Sequence, residues 1–207
     1  GGKSILSYGD ASVVSFHATK VFHTIEGGAV VFKDDETYEK AKILRSYGID
    51  GPDSVAYAGI NAKMNEFEAA MGLCNLEEYE TIIEQRKRSY DFYFEHLGDY
   101  VQLQEWNRRG TPSYSYVPVV FTSNEEMNLA REALNAKNIF PRQYFSPSLD
   151  TVDYGYGQQP PMSVSRDIAS RIMIIPLHSG IEGMVTETII ESVLESRGGL
   201  CQKRSSF

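Results

Sequence analysis

The 207-residue chain is predicted to adopt an α/β fold in two parts, and three patterns carry that prediction. Short β-branched runs alternate with segments of helical period. One stretch, 65–97, has no proline and a single glycine, Gly72, so it reads as a long helix between the two parts. A hydrophobic content of 42% against 23% charged is enough to bury one or two cores at this length.

In the first part, Val13-Val14-Ser15-Phe16 forms a short buried strand that leads into a loop. Gly27-Gly28 lets the backbone turn tightly before a second strand over 29–33. Asp34-Asp35-Glu36 supplies a helix start, and the helix runs over 36–46 until Gly48 stops it. Gly51-Pro52 marks a loop. Within 65–97, Ala69, Leu73, Leu76, Ile83, Tyr90, Phe94 and Leu97 recur at spacings of three, four and seven, as a core-facing stripe does. The stretch is one amphipathic helix, or two broken near Glu77-Glu78.

The second part begins near Gly98. Residues 114–121 read as a strand, with Pro118 pointing to an edge or a bulge. Ser123 and Glu126 have capping-box spacing for a helix ending near Asn138, which tolerates the left-handed conformation of a C-terminal cap. Ile139-Phe140 starts another extended stretch. Residues 145–165, rich in Pro and Gly, form a long loop of the kind used as a lid or binding loop, with a mobile loop of no function as the equal alternative. A buried strand over 173–177 and a final helix over 186–196 follow.

Lys20 stands apart chemically. It lies on the loop between the first two strands, among apolar neighbours, with Ser15 and Thr19 before it and Gly27-Gly28 after. Functional side chains concentrate on loops held by a scaffold. A lysine amine attacks carbonyls only in its neutral form, which desolvation by apolar neighbours favours. A solvated surface lysine is the ordinary alternative. His17 and His23 flank it with no third Cys, His or carboxylate at ligand spacing, so no metal is expected. Arg45 and Tyr47, at the end of the first helix, are candidates for substrate contact, although the helix dipole alone also accounts for Arg45.

Several blocks recur in order around this lysine: Gly9-Asp10, Ser15-Phe16-His17-Ala18-Thr19-Lys20, Glu26-Gly27-Gly28-Ala29, Leu44-Arg45-Ser46-Tyr47-Gly48 and Gly59-Ile60-Asn61-Ala62-Lys63-Met64-Asn65-Glu66. With them the chain resembles the pyridoxal-phosphate-dependent sugar aminotransferases of the DegT/DnrJ/EryC1/StrS group over residues 3–195. The resemblance implies the C-terminal part of an aspartate-aminotransferase-like, fold type I transferase. Residues 1–78 would be the end of the large mixed-sheet cofactor domain, 79–197 the linking helix and small α/β domain, and 198–207, without a helical stripe, a frayed tail.

By the same resemblance, Lys20 would hold pyridoxal 5'-phosphate as an internal aldimine and carry the proton between substrate Cα and cofactor C4′. Ser15 would contact the cofactor phosphate; a serine bonded to its own strand end is the alternative. Asn61 would reach the phosphate of the neighbouring subunit's cofactor, which implies a homodimer with a shared active site. Residues 16–22 and 60–64 look most like enzymes that aminate a nucleotide-linked 4-keto-6-deoxyhexose, with dTDP-4-keto-6-deoxyhexose as substrate and glutamate as amino donor. The 3-keto-sugar enzymes are close relatives.

The family's large domain begins well before the lysine strand. That earlier portion supplies the phosphate-binding turn, the aromatic ring that stacks on the pyridine, and the aspartate at the ring nitrogen. Asp10 matches a different family aspartate. Two alternatives therefore stand beside the enzyme: a non-catalytic fragment or interaction module lacking the cofactor cradle, and a related sugar dehydratase. The dehydratases replace the aldimine lysine with histidine, so Lys20 argues against them. A half-built sheet also implies exposed apolar surface and a tendency to associate.

Composition excludes other classes. A net charge of -8 and a pI near 5.1, with only Lys87-Arg88 as a local basic cluster, give no nucleic-acid surface. Cys74 and Cys201 are too far apart in sequence to imply a disulfide framework or a Cys-x-x-Cys site, which fits a reducing, cytoplasmic setting. No apolar run has transmembrane length and no signal-peptide pattern opens the sequence, so no membrane partner is expected.

Overall fold

The computed structural model describes residues 2–155, 157 and 160–204. The chain divides into two compact units, Gly1–Glu80 and Thr81–Phe207. The expected boundary falls at 78/79.

In the first unit, β1 (Ala11–Ser15) and β2 (Gly28–Phe32) pair antiparallel, Ala11 opposite Phe32 and Ser15 opposite Gly28. The helix α1 (Asp35–Arg45) follows. Asp34 caps it, its side chain accepting from Thr37 N at 2.8 Å, which satisfies one of the helix's unpaired N–H groups. Gly51-Pro52 turns out to lie in a small hairpin, β3 (Ile49–Gly51) with β4 (Ser54–Val55). The loop signal there was the hairpin's turn, and Ile49 and Val55 were its short arms.

The helix α2 (Glu66–Leu97) is a single helix of 32 residues. Glu77-Glu78 does not break it, because glutamate is a good helix former. Its stripe is core only in its C-terminal part. Tyr90 and Leu97 are buried, but Leu73 and Leu76 are exposed, as is Phe94. Beyond residue 80 the positions that face inward are Arg86, Ser89, Tyr90, Tyr93 and Leu97.

In the second unit, β5 (Gln102–Leu103), β6 (Val117–Val120) and β7 (Ile172–Ile175) form an antiparallel sheet with β6 in the middle. Val117 lies opposite Ile175 and Val119 opposite Met173, and all four side chains are buried on one face. Pro118 therefore sits in a central strand, not the edge strand or bulge expected of it. Phe121 N donates to Arg171 O, so odd-numbered residues of β6 face β7 and Pro118 faces the β5 side. The β5 pairing covers only Val119 and Val120, so the missing N–H falls where no neighbour needs it.

The buried sheet face packs with α3 (Asn124–Ala136), α5 (Met184–Arg204) and the C-terminal part of α2 in one core, which includes Tyr93, Phe121, Met127, Leu134, Ile189 and Val193. Ser123 caps α3 as expected, accepting from Glu126 N, and Asn138 takes the left-handed conformation just past the helix end (φ 59°). The Glu126 carboxylate does not close the capping box. It is 1% exposed, accepts from Thr122 N and Oγ1, and meets Arg197 Nε of α5 at 3.3 Å, tying α3 to α5. Along α5 the buried hydroxyls of Thr186, Ser192 and Ser196 donate back to Gly183, Thr188 and Val193 carbonyls, so no hydroxyl is left unpaired where the helix is covered.

Two further expectations differ. No strand begins at Ile139-Phe140; Arg142 makes one isolated bridge to Ile174. The segment from 198, expected to fray, continues α5 to Arg204, since each added helical residue gains a backbone hydrogen bond. Residues 205–207 of that tail lie outside the described residues.

The loop over 145–165 is tied at its base. Residues 156, 158 and 159 of it lie outside the described residues. Asp150 accepts from Met162 N at 2.8 Å and from Arg166 Nε at 2.7 Å of α4 (Ser163–Arg171), and from the Ser148 hydroxyl. Donation by Met162 N, then by Ser148, then the Arg166 bond and charge, hold the Asp150 carboxyl down at about 2. A depressed folded-state pKa contributes stability that is full above the unfolded value of about 3.9 and is lost as pH falls through about 2. Asp150→Asn is expected to flatten the dependence of stability on pH between about 4 and 2. Denaturation midpoints measured across that range test this, and an unchanged slope in the variant contradicts the assignment.

The two units differ in what they bury. Every buried large apolar side chain among the described residues belongs to the second unit, from Tyr90 onward. In the first unit Val13, Val30, Val31, Ile60 and Phe67 are exposed, and Thr24 is buried. Both outer edges of the β1–β2 ribbon lack a strand partner among the described residues.

Candidate active site

The loop between β1 and β2 carries Lys20. It is closed at its base by Phe16 N donating to Gly27 O and by Thr24 N donating to Phe16 O, both at 2.9 Å. At its tip Lys20 N donates to His17 O at 2.9 Å. Gly27 adopts φ 154°, and a Cβ there would lie 2.3 Å from Thr24 Oγ1, so only glycine fits this closure. The Gly27-Gly28 turn expected from the sequence is thus a steric requirement.

Lys20 is exposed, and no hydrogen bond or ion pair joins its amine to a described residue. This corrects the expectation of a desolvated lysine. Phe16 and Phe22 stack edge-on against each other, ring centroids 4.9 Å apart, and Phe22 meets Tyr79 of α2 at 6.4 Å, so the flanking rings pack together instead of around the amine.

Ser15, at the end of β1, accepts from His17 N at 3.3 Å. Ser15 and Lys20 are thus joined through His17, whose N–H meets one and whose carbonyl meets the other. The Ser15 oxygen serves its own strand end, and its hydroxyl proton is left to donate elsewhere. His17 Nδ1 lies 2.9 Å from Glu26 Oε1, a pairing across the loop between residues nine positions apart that no local pattern marks. His23 Nδ1 accepts from Ile25 N at 3.3 Å. No group of three metal-ligating side chains occurs among the described residues.

Asn61 lies on the segment after β4, bridged to Ser46 at the end of α1. Its Oδ1 accepts from Lys63 Nζ at 2.7 Å, which leaves Nδ2 as a donor. No described contact joins Asn61 to Ser15 or Lys20. Arg45 and Tyr47 are both exposed; Tyr47 takes φ 64° and has Lys63 Nζ 4.2 Å from its ring centroid. Arg45 lines an open cleft of about 730 Å³ with Gly27, Phe32, Leu44, Ile60 and Met64, whereas Ser15, Lys20 and Asn61 do not line it.

These side chains fit pyridoxal phosphate by their chemistry. An unpaired primary amine suits an aldehyde, and the unspent donors of Ser15 and Asn61 suit a phosphate. Of the carboxylates flanking the lysine, Glu26 lies in the loop and faces His17, whereas Asp10 sits at the opposite end of the β1–β2 ribbon, its carbonyl accepting from Lys33 N. No contact places either opposite a ring nitrogen.

Solved structures define the class. A crystal structure of DesI in the presence of its TDP-sugar product aligns with 100% of this chain and 55% of its own, at TM-score 0.83 and 31% identity. The aminotransferase TlmJ from Streptoalloteichus hindustanus aligns with 97% of this chain and 55% of its own at TM-score 0.88; at 23% identity it supports the fold alone. The chain has the α/β fold of a little over half of a fold type I sugar aminotransferase.

Residues 1–194 match the DegT/DnrJ/EryC1/StrS aminotransferase family, and the chain belongs to it. Among curated relatives, dTDP-4-amino-4,6-dideoxy-D-glucose transaminase of Shigella dysenteriae is 34% identical over 93% of this chain and 54% of its own length. UDP-4-amino-4,6-dideoxy-N-acetyl-beta-L-altrosamine transaminase of Helicobacter pylori is 28% identical over 94% and 54%. The chain spans about half the length of the curated relatives it matches. No helix among the described residues is long and apolar enough to cross a membrane.

Proposed function

We propose that the chain is the lysine-bearing part of a pyridoxal-phosphate-dependent aminotransferase that converts dTDP-4-keto-6-deoxyhexose to the 4-amino sugar, with glutamate as donor. The observation that carries this reading is the free, exposed amine of Lys20 on a closed loop between β1 and β2, in a chain of this family. The sugar class rests on the dTDP- and UDP-4-amino-4,6-dideoxyhexose transaminases to which the chain is similar.

Pyridoxal phosphate, when bound, supplies the electron sink that makes the donor's α-proton removable. Lys20 Nζ would hold the cofactor and, as a free amine, would take the proton from the donor's α-carbon. Ser15 Oγ–H and Asn61 Nδ2–H would donate to its phosphate and orient it, Asn61 across the interface of a homodimer with a shared active site. The closed loop limits how far Lys20 can stray from the proton it moves.

The test is incubation of the protein with pyridoxal phosphate, dTDP-4-keto-6-deoxyglucose and glutamate. The expected products are 2-oxoglutarate and a dTDP-amino sugar, identified by mass. If the protein takes up cofactor and converts glutamate but leaves the keto sugar untouched, the sugar assignment falls.

The bare first unit favours a second reading, that this chain by itself is a non-catalytic module, because among the described residues that unit buries no large apolar side chain. A folded protein that takes up no cofactor is the result that reading expects.

A further inference from the structure

The lysine loop is fastened to α2 by one face of that helix, and Thr24 is the peg. Thr24 is 2% exposed, and its hydroxyl donates to Glu26 O at 2.6 Å while its N–H donates to Phe16 O. Its methyl lies against Gly72: a Cβ added at Gly72 would come within 2.8 Å of Thr24 Cγ2. Asn75 Nδ2 donates to His23 O at 2.7 Å, across 52 residues of sequence. Tyr79 meets Phe22. Positions 72, 75 and 79 recur at helical spacing, so they form one face of α2, with the exposed Leu76 at its border and Leu73 turned away from it.

We propose that Asn75, Gly72 and Thr24 form a positioning buckle that fixes the backbone of the loop carrying Lys20. The proposal rests on the aminotransferase reading for its functional consequence, but the buckle itself is a statement about the loop. Asn75 holds the loop by a bond that no apolar residue replaces, and Gly72 lets the helix backbone approach closely enough for the bond to form. Thr24 cannot swing aside to admit a larger residue at 72, because Gly27 closes over its hydroxyl and that hydroxyl is already bonded.

Gly72→Ala separates this from general helix effects, because the two predict opposite signs. Helix propensity alone makes alanine stabilising in a helix interior. The buckle predicts loosening of the loop. In the purified protein, amide hydrogen exchange over 17–24 is expected to quicken roughly fivefold in Gly72→Ala and in Asn75→Ala, with exchange in the second unit unchanged. Borohydride-fixed labelling of Lys20 by pyridoxal phosphate is expected to fall roughly threefold in the same variants. Thr24→Ser keeps the hydroxyl and removes the methyl, so the pair Gly72→Ala with Thr24→Ser is expected to restore both.

Unchanged loop exchange in Gly72→Ala and Asn75→Ala overturns the buckle, as does failure of Thr24→Ser to restore the alanine variant. If Lys20 of the unsubstituted protein takes no label, the cofactor reading fails instead. The exchange rates then still decide the buckle, loosening supporting it and no change overturning it.

Discussion

Lys20→Ala is expected to abolish the visible absorbance the protein gains with pyridoxal phosphate, and to lower transamination by at least about 10²–10⁴-fold, the size of an acid–base contribution alone. No described residue pairs with the Lys20 amine, so its removal breaks no contact that holds the loop. The closure runs through backbone groups and through Thr24 and Asn75. Lys20→Arg sharpens the result: arginine keeps the charge but stays protonated and does not attack an aldehyde, so it is expected to be as inactive as alanine. Lys33→Ala, an exposed lysine just after β2, is expected to behave as the unsubstituted protein. Full absorbance in Lys20→Ala would remove this lysine from the chemistry.

Tyr93→Ala is expected to cost the second unit about 3–5 kcal/mol, the range for a large buried ring. Tyr93 is fully buried, and its hydroxyl donates to Pro176 O at 3.1 Å just past β7. Burial pushes that hydroxyl's pKa well up, so it stays a neutral donor throughout the usual pH range. Tyr93→Phe keeps the ring and leaves the Pro176 carbonyl without this donor, at a cost of about 1 kcal/mol. The single tryptophan, Trp106, donates to Tyr90 OH and packs against the same core, so its fluorescence follows the unfolding of this unit during urea titration. A loss under about 1 kcal/mol in Tyr93→Ala would mean that the core does not depend on the joint between α2 and β7.

What could be read from the sequence follows the range of the forces involved. The lysine loop, its Gly27-Gly28 closure, the α1 cap and the Ser123 cap are local, set by residues within a few positions of one another, and each was legible. The central place of Pro118 was not, because it depends on where β5 stops, a fact about another segment. Asn75 and Gly72 were hidden for the same reason. Their partners lie about 50 residues away, and a glycine and an asparagine beside an apolar stripe carry no sign of what they touch. The apolar stripe, through Leu73 and Leu76, was easy to see and wrongly read as core; in the first unit it stands exposed. Hydrophobic period identifies a helix face that burial would reward, and only the fold decides whether anything covers it. For the site, the resemblance picked out Ser15, Lys20 and Asn61. The structure joins the first two through His17 and leaves Asn61 on a separate segment.

The most direct test of Lys20 as the cofactor-bearing residue is to reduce the protein with borohydride in the presence of pyridoxal phosphate and map the product by mass spectrometry. One pyridoxyl group is expected, on Lys20, with cleavage by trypsin blocked between Lys20 and Val21. A label spread over exposed lysines such as Lys3, Lys33 and Lys40, with Lys20 unmodified, would contradict it.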